Sequence, residues 1–364
     1  MIYNSLVKPL LFQLDAEQAH NATHKFARTA SRSSFLQALA GAMYNYQSPK
    51  LSQQIWGLDF RNPIGLAAGF DKNGEIPEIM EAIGFGFVEI GSITGNPSTG
   101  NPKPRAFRLP QDRALINRMG LNNDGAKTII KRLKNKKVSI PLGINIAKTH
   151  NPDIMGDAAI RDYVHSFNVA KRIADYITVN ISCPNTTEGK TFEDTNALDE
   201  LLSALKIRDD ARVVPTLIKF SSDLTKEHLM ELLEVCENHR VHGYVACNTS
   251  SGRDGLQTNK QTLEKIGRGG LSGRPIANKS VQIIGWISEA TKGQKPIIGV
   301  GGVDSFETAH RMMLAGADLL QVYTGLLYEG PGLLKSINKQ LVEELDRLDI
   351  QSIHQLVKAS ANVE

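Results

Sequence analysis

The chain has 364 residues, 41% hydrophobic and 22% charged, with a net charge of +4. That balance suits a large buried core and excludes disordered and fibrous classes, while the charge is too weak for a dedicated nucleic-acid binder. Cys183, Cys236 and Cys247 form neither a disulfide framework nor a zinc ligand set, and no stretch reaches the ~18 uninterrupted apolar residues of a membrane span.

In chain order, residues 1–48 stand apart from the rest of the chain. Leu6, Val7, Leu10, Leu11 and Leu14 make a short apolar stripe that Pro9 interrupts. Asp15 then opens a second helix, with Gln18 as its capping partner. Ala19, Thr23, Phe26, Ala27 and Ala30 line one side of that helix, and Lys25, Arg28 and Arg32 lie elsewhere on it. Phe35, Leu36, Leu39 and Met43 continue the apolar pattern. Small amphipathic helices outside a finished domain either cap its floor or lie on a membrane surface, and pattern alone leaves both open.

From there to about residue 330, a short apolar run followed by a helical stretch recurs. The runs are 63–69 (PIGLAAG), 86–92 (GFVEIGS), 142–147 (LGINIA), 176–182 (YITVNIS), 216–221 (TLIKFS), 243–249 (GYVACNT), 296–302 (PIIGVGG) and 318–325 (DLLQVYTG). Each is nearly all apolar rather than alternating, as parallel strands covered on both faces are. Helices are predicted between them, for example over 196–207, 225–237 and 305–314, and the basic run 127–137 reads as a helix with a solvated face. Eight such units predict an α/β fold, a (β/α)8 TIM barrel over 49–364. A doubly wound open sheet would carry a GxGxxG turn, and none opens a first helix here.

A barrel of this kind works at the carboxyl ends of its strands. Lys72, Asn145, Asn180, Lys219 and Asn248 close five of the runs and so converge on one site. Gly301, Gly302 and the segment Tyr323-Thr324-Gly325 end the last two strands, where backbone N–H groups can approach a phosphate; residues 269–273 (GGLSG) add a flexible segment. Lys219 could hold the charge of an electron-rich ring. After strand four, Asn180 and Asn185 flank Cys183, amides suited to a ring with N–H and C=O groups. A thiol of pKa ~8.5 on a polar loop needs only a modest push to accept a proton. Cys236, on an apolar helix face, reads as packing.

At these segments the chain resembles the dihydroorotate dehydrogenases, and among them the quinone-reducing, membrane-associated class 2. The resemblance runs through 11–15 (LFQLD) with Ala19-His20, 65–72 (GLAAGFDK), 89–94 (EIGSIT), 103–109 (KPRAFRL) and 116–123 (INRMGLNN). It continues through 143–146 (GINI), 180–186 (NISCPNT), 269–275 (GGLSGRP), 298–303 (IGVGGV) and 321–325 (QVYTG). It implies oxidation of (S)-dihydroorotate to orotate in pyrimidine (UMP) biosynthesis, with FMN taking the hydride and ubiquinone the electrons. Cys183 takes the base position. Lys72, Asn117, Arg118, Met119, Gly120, Leu121, Asn180, Asn185, Asn248 and Thr249 take substrate positions. Ala68, Gly69, Lys72, Ser92, Asn145, Asn180, Lys219, Cys247, Gly273, Gly302, Tyr323 and Thr324 take FMN positions.

His20, Arg108 and Tyr323 fall near the quinone, with residues 1–48 forming the mouth of its tunnel and the membrane contact. The implied protein is a monomer, peripheral on the cytoplasmic side of the inner membrane, without a nucleic-acid partner or metal. Three positions depart from the class 2 pattern. Cys183 replaces the usual serine and is typical of soluble class 1 enzymes, Cys247 replaces a threonine, and Leu121 stands where phenylalanine is common. A soluble class 1-like enzyme using fumarate or NAD, or another FMN-barrel oxidoreductase, would differ in its electron acceptor or substrate.

Overall fold

The computed structural model describes residues 3–182, 192–207 and 214–361. A helical turn over Tyr3–Val7 runs into α1 (Lys8–Gln13), followed by α2 (Ala16–Ala30) and α3 (Ser34–Tyr44). Asp15 caps α2 by accepting from the Gln18 backbone N–H, and Ser33 caps α3 by accepting from that of Leu36. Ala19, Ala27 and Ala30 are buried as the pattern predicts, whereas Phe26 on the same helix is 68% exposed.

A hairpin of β1 (Gln53–Ile55) and β2 (Leu58–Phe60) comes next, turned at Trp56 and Gly57, both at positive φ. The barrel strands begin with β3 (Ile64–Leu66) and β4 (Phe87–Ile93). Two antiparallel strands, β5 (Ala106–Leu109) and β6 (Ala114–Asn117), interrupt them. β7 (Leu142–Ile146), β8 (Tyr176–Asn180), β9 (Thr216–Phe220) and β10 (Gly243–Ala246) continue the barrel. β11 (Gly270–Gly273) pairs with β6, and β12 (Ile297–Val300) and β13 (Leu319–Val322) complete the set. The eight long-range strands close in the order β10-β12-β13-β3-β4-β7-β8-β9, all parallel. Each of the eight apolar runs coincides with one of them, β4 reaching one residue beyond its run to Ile93.

The hairpin plugs the floor. Ile55 and Phe60 pack with Phe87, Tyr176, Leu217 and Ile298 inside the barrel. Space for those rings comes from glycine: a Cβ at Gly65 would meet the Phe87 ring at 2.3 Å, and one at Gly143 would meet Tyr176 at 2.1 Å. Above them lies a buried carboxylate. Glu89 accepts from Asn145 Nδ2 (2.8 Å), Thr178 Oγ1 (3.0 Å), Tyr176 Oη (3.2 Å) and Gln321 Nε2 (2.7 Å), satisfying a charge that would otherwise be costly in the core.

The basic run forms the helix Ala126–Leu133 with Ile129, Ile130 and Leu133 turned inward. Cys236 is buried with its thiol pKa raised by burial, as a packing residue requires. Within residues 269–273, Gly270–Gly273 forms the antiparallel strand β11 rather than an open loop. Its glycines serve close approach, since a Cβ at Gly270 would lie 2.0 Å from Thr249 Oγ1.

Candidate active site

The barrel mouth holds a cavity. Of the sequence-predicted positions, Ala68, Gly69, Lys72, Ser92, Asn117, Met119, Gly120, Leu121, Asn180, Lys219, Cys247, Asn248, Thr249, Gly273, Gly302, Tyr323 and Thr324 line it. Parallel strands make this convergence automatic, because every strand delivers its last residue to the same rim. Asn145 sits one layer behind, its Oδ1 accepting from the Ser92 hydroxyl.

Arg118 is the exception. Its guanidinium donates to the carbonyls of Ile266 (2.6 Å) and Arg268 (2.9 Å) and stacks on Phe107, so the side chain braces the loop rather than lining the cavity. Cys183 and Asn185 lie outside the described residues. Ser182, just before them, is anchored at the rim: its hydroxyl donates to Asn180 Oδ1 (3.3 Å) and accepts from Asn248 Nδ2 (3.0 Å). Asn180 also donates to the Ser92 hydroxyl (3.3 Å), so the amides are held by one another.

Two lysines give the cavity its charge. Lys219 is buried and has no ion-pair partner among the described residues. Burial lowers its pKa, with the Glu89 and Cys247 charges opposing. Lys72 is pushed down to about 8 by burial and by Arg105, against Glu17 and Asp71. The Gln321 Oε1 is buried without a partner while its amide nitrogen is spent on Glu89, leaving an acceptor in the cavity wall. Gly273, Gly301 and Gly302 all have positive φ, and a Cβ there would meet Arg113 O at 2.5 Å, Ser280 Oγ at 2.6 Å and Ala277 Cβ at 2.6 Å. These three turns bring bare backbone to one end of the cavity, as an anion cradle needs.

A second cavity of about 570 Å3 lies between the N-terminal helices and the barrel. Its wall is apolar except for Tyr3, His20, Thr23, Tyr44 and Arg108. Arg108 donates to the Leu11 (3.0 Å) and Leu14 carbonyls and sits over the Phe12 ring. Burial, Lys72 and His24 hold the His20 pKa well below the ordinary histidine value, which favours the neutral ring.

Tyr323 lines the mouth, and its ring meets Phe70 at 5.5 Å; Phe70 in turn meets His20 at 5.4 Å. Phe70 and Tyr323 thus form the wall between the two cavities. Sequence reasoning missed Phe70, although it sits between Gly69 and Lys72 in a segment already singled out. It also missed Gln321, the one polar residue in the run Leu319–Val322.

Residues 50–345 match the profile of the dihydroorotate dehydrogenase family. A Vibrio vulnificus protein named dihydroorotate dehydrogenase (quinone) is 42% identical over 348 residues, covering 94% of this chain and all of the relative. A Gloeobacter violaceus protein of the same name is 40% identical over 353 residues, covering 96% of this chain and 97% of that one. The crystal structure of DHODH from Eimeria tenella in complex with ferulenol superposes with a TM-score of 0.79 at 31% identity, covering 94% of this chain and 95% of that one.

Proposed function

The chain belongs to the dihydroorotate dehydrogenase family, and from that membership and the paired cavities we propose how it oxidises dihydroorotate to orotate for pyrimidine biosynthesis and reduces a quinone. FMN, the family's cofactor, would supply there a two-electron acceptor for the hydride that quinone can re-oxidise. The mouth fits it. The Gly273 and Gly302 turns with Thr324 would hold its phosphate, and Lys219 and the free Gln321 acceptor would meet its ring edge. Ala68, Gly69, Ser92, Asn145, Cys247 and Tyr323 would complete the pocket.

Lys72 would pair with the substrate carboxylate. Asn117, Asn180, Asn185, Asn248 and Thr249 would meet its ring amides, and Met119, Gly120 and Leu121 would cover it. Cys183 is the base: its sulfur takes the proton beside the carbonyl as the hydride leaves the neighbouring carbon, a role a thiol fills near neutrality more readily than a hydroxyl. The anchoring of Ser182 to Asn180 and Asn248 supports this, because it ties the chain leading to Cys183 to the residues that would grip the substrate.

The quinone would occupy the N-terminal cavity, with His20 and Arg108 near its head. The helices there leave Leu6, Leu10, Phe26, Phe35 and Leu39 between 49% and 74% exposed, with Lys25 and Arg32 also exposed in this segment, which suits peripheral attachment to the inner membrane from the cytoplasmic side. Among the described residues no helix is long and apolar enough to cross a membrane.

The observation that carries the reading is the shared wall of Tyr323 and Phe70, which puts a polar pocket and an apolar one within two rings of each other. Anaerobic dihydroorotate should bleach the yellow protein, and ubiquinone should restore its colour. A protein that does not bleach overturns the reading, and one re-oxidised by fumarate or NAD but not by quinone would be class 1-like.

A further inference from the structure

Turning a quinone into a quinol takes two electrons and two protons. If the chain works as proposed, on which this inference rests, dihydroorotate gives up a hydride and a proton, and the proton departs through the base at the barrel mouth. The electron pair therefore brings at most one proton to the quinone. For dihydroorotate plus quinone to balance against orotate plus quinol, a second proton must come from solvent into the N-terminal cavity. A wall made mostly of alanine, leucine and phenylalanine offers few groups able to carry it.

His20 is the imidazole in that wall. His24 stands one turn further along α2, with its ring centre 5.7 Å from that of His20. Its Nδ1 lies 3.4 Å from Glu75 Oε2 and its Nε2 3.6 Å from Asp71 Oδ1. Asp71 is buried and held by the backbone N–H groups of Glu75 (2.9 Å) and Ile76 (2.8 Å). Glu75 is 21% exposed and pairs with Arg28 at 3.1 Å. The charged or titratable groups around His24 are therefore His20 and Arg28 on its own helix, and Asp71 and Glu75 on the segment after β3. Lys72 acts on His20 from that same segment, and Lys136 donates to the Glu75 carbonyl.

We propose that His24 is the proton inlet of the quinone cavity, taking a proton from solvent beside Glu75 and Asp71 and passing it to His20, which delivers it to the quinone oxygen. The bond broken at each stage is an imidazole N–H and the bond formed is the next N–H, ending in the quinol O–H; His24 is then reprotonated from solvent. Asp71 and Glu75 supply the negative charge that a transient imidazolium needs. Rotation of one ring, or one bridging water, closes the gap between the imidazoles. Glu75 already has a closer structural tie in Arg28 at 3.1 Å, so the two longer His24 contacts are not what holds this segment to the helix.

Stopped-flow half-reactions of the holoenzyme test this. His24→Gln and His24→Gly should bleach with dihydroorotate at the wild-type rate but be re-oxidised by a short-chain ubiquinone about tenfold or more slowly. Added imidazole should recover re-oxidation of the His24→Gly protein at least about threefold, which a structural defect would not allow. Histidine NMR of the oxidised protein gives a readout independent of turnover. Glu75→Gln should displace the His24 ring signals, and the His20 signals should move with them. Wild-type re-oxidation in both variants, no rescue by imidazole, or His20 signals indifferent to His24 would overturn the proposal. Failure of the wild-type protein to bleach would instead overturn the function on which it rests.

Discussion

At the barrel mouth half of the lining residues are amides, lysines and glycines carried on strand ends and the loops after them, whereas the N-terminal cavity is walled largely by aliphatic and aromatic side chains of the N-terminal helices. The mouth is braced from behind by the Glu89 network and from the side by Asn180, Ser182 and Asn248. The N-terminal helices are held loosely by comparison: neither α1 nor α3 has a fully buried residue. Directional hydrogen bonds select a small polar ring and make each partner costly to lose. Apolar contact admits a long hydrophobic tail and spreads the cost over many side chains.

The largest expected effect lies on the polar side. Cys183→Ala should slow dihydroorotate bleaching by about 10²–10⁴-fold while leaving re-oxidation by quinone intact, as anaerobic stopped-flow would record. Cys183→Ser should shift the apparent pKa of bleaching upward, because a hydroxyl ionises less readily than a thiol; identical pH profiles would remove Cys183 from the base role.

The contrast between the two regions is sharpest for deletion of residues 1–45, which should abolish quinone reduction and leave bleaching. One buried ion pair complicates that separation. Glu17 on α2 binds Arg105 at 2.8 Å, and the same guanidinium donates to the carbonyls of Thr99 (2.7 Å), Asn101 (2.9 Å) and Met119 (3.5 Å), the last of them in the substrate loop. The truncated protein should therefore bleach with a raised KM for dihydroorotate, and Glu17→Gln should reproduce that rise alone.

Breaking such a pair costs about 3–5 kcal/mol, because Arg105 is left buried and unpaired. Burial alone would raise the Glu17 pKa, but the Arg105 hydrogen bond and charge, with Lys103, hold it below its ordinary 4.5. The stabilisation is then fully present above that value and is lost as pH falls below it, which the melting temperature of wild type against Glu17→Gln would show. A melting difference that persists unchanged into acid would argue against the pair.

A smaller effect concerns Lys72. With its pKa pushed down to about 8, mainly by burial, it loses its charge as pH rises through that value. Orotate affinity should then fall, approaching tenfold per pH unit above about 8, and a flat titration of the orotate complex would separate Lys72 from the carboxylate. The smallest effect on catalysis belongs to the surface. Leu10→Ser with Phe35→Ser, 66% and 74% exposed in the wild type, should leave turnover in detergent unchanged and weaken vesicle sedimentation several-fold.

Most of the polar site was legible because strand ends are legible. An apolar run ending in Asn145, Asn180, Lys219 or Asn248 announces both the strand and the side chain it presents. Arg118 shows the limit: its neighbour Asn117 lines the mouth, yet the arginine turns to the carbonyls of Ile266 and Arg268, nearly 150 residues away in sequence. The glycines of 269–273 marked freedom in the sequence and close approach in the fold, because the same missing Cβ permits both.

Period and composition alone determined that eight buried parallel strands would form and that their polar ends would share one rim, since parallel pairing leaves a strand no other place for its last residue. Local chemistry likewise determined the caps at Asp15 and Ser33. Tertiary structure decided which apolar helix faces stay open, that Phe70 and Tyr323 stand between the two cavities, and that His24 meets Asp71 and Glu75. Those contacts join segments far apart in the chain, and they depend on how the N-terminal helices lie across a barrel whose own periodicity says nothing about them.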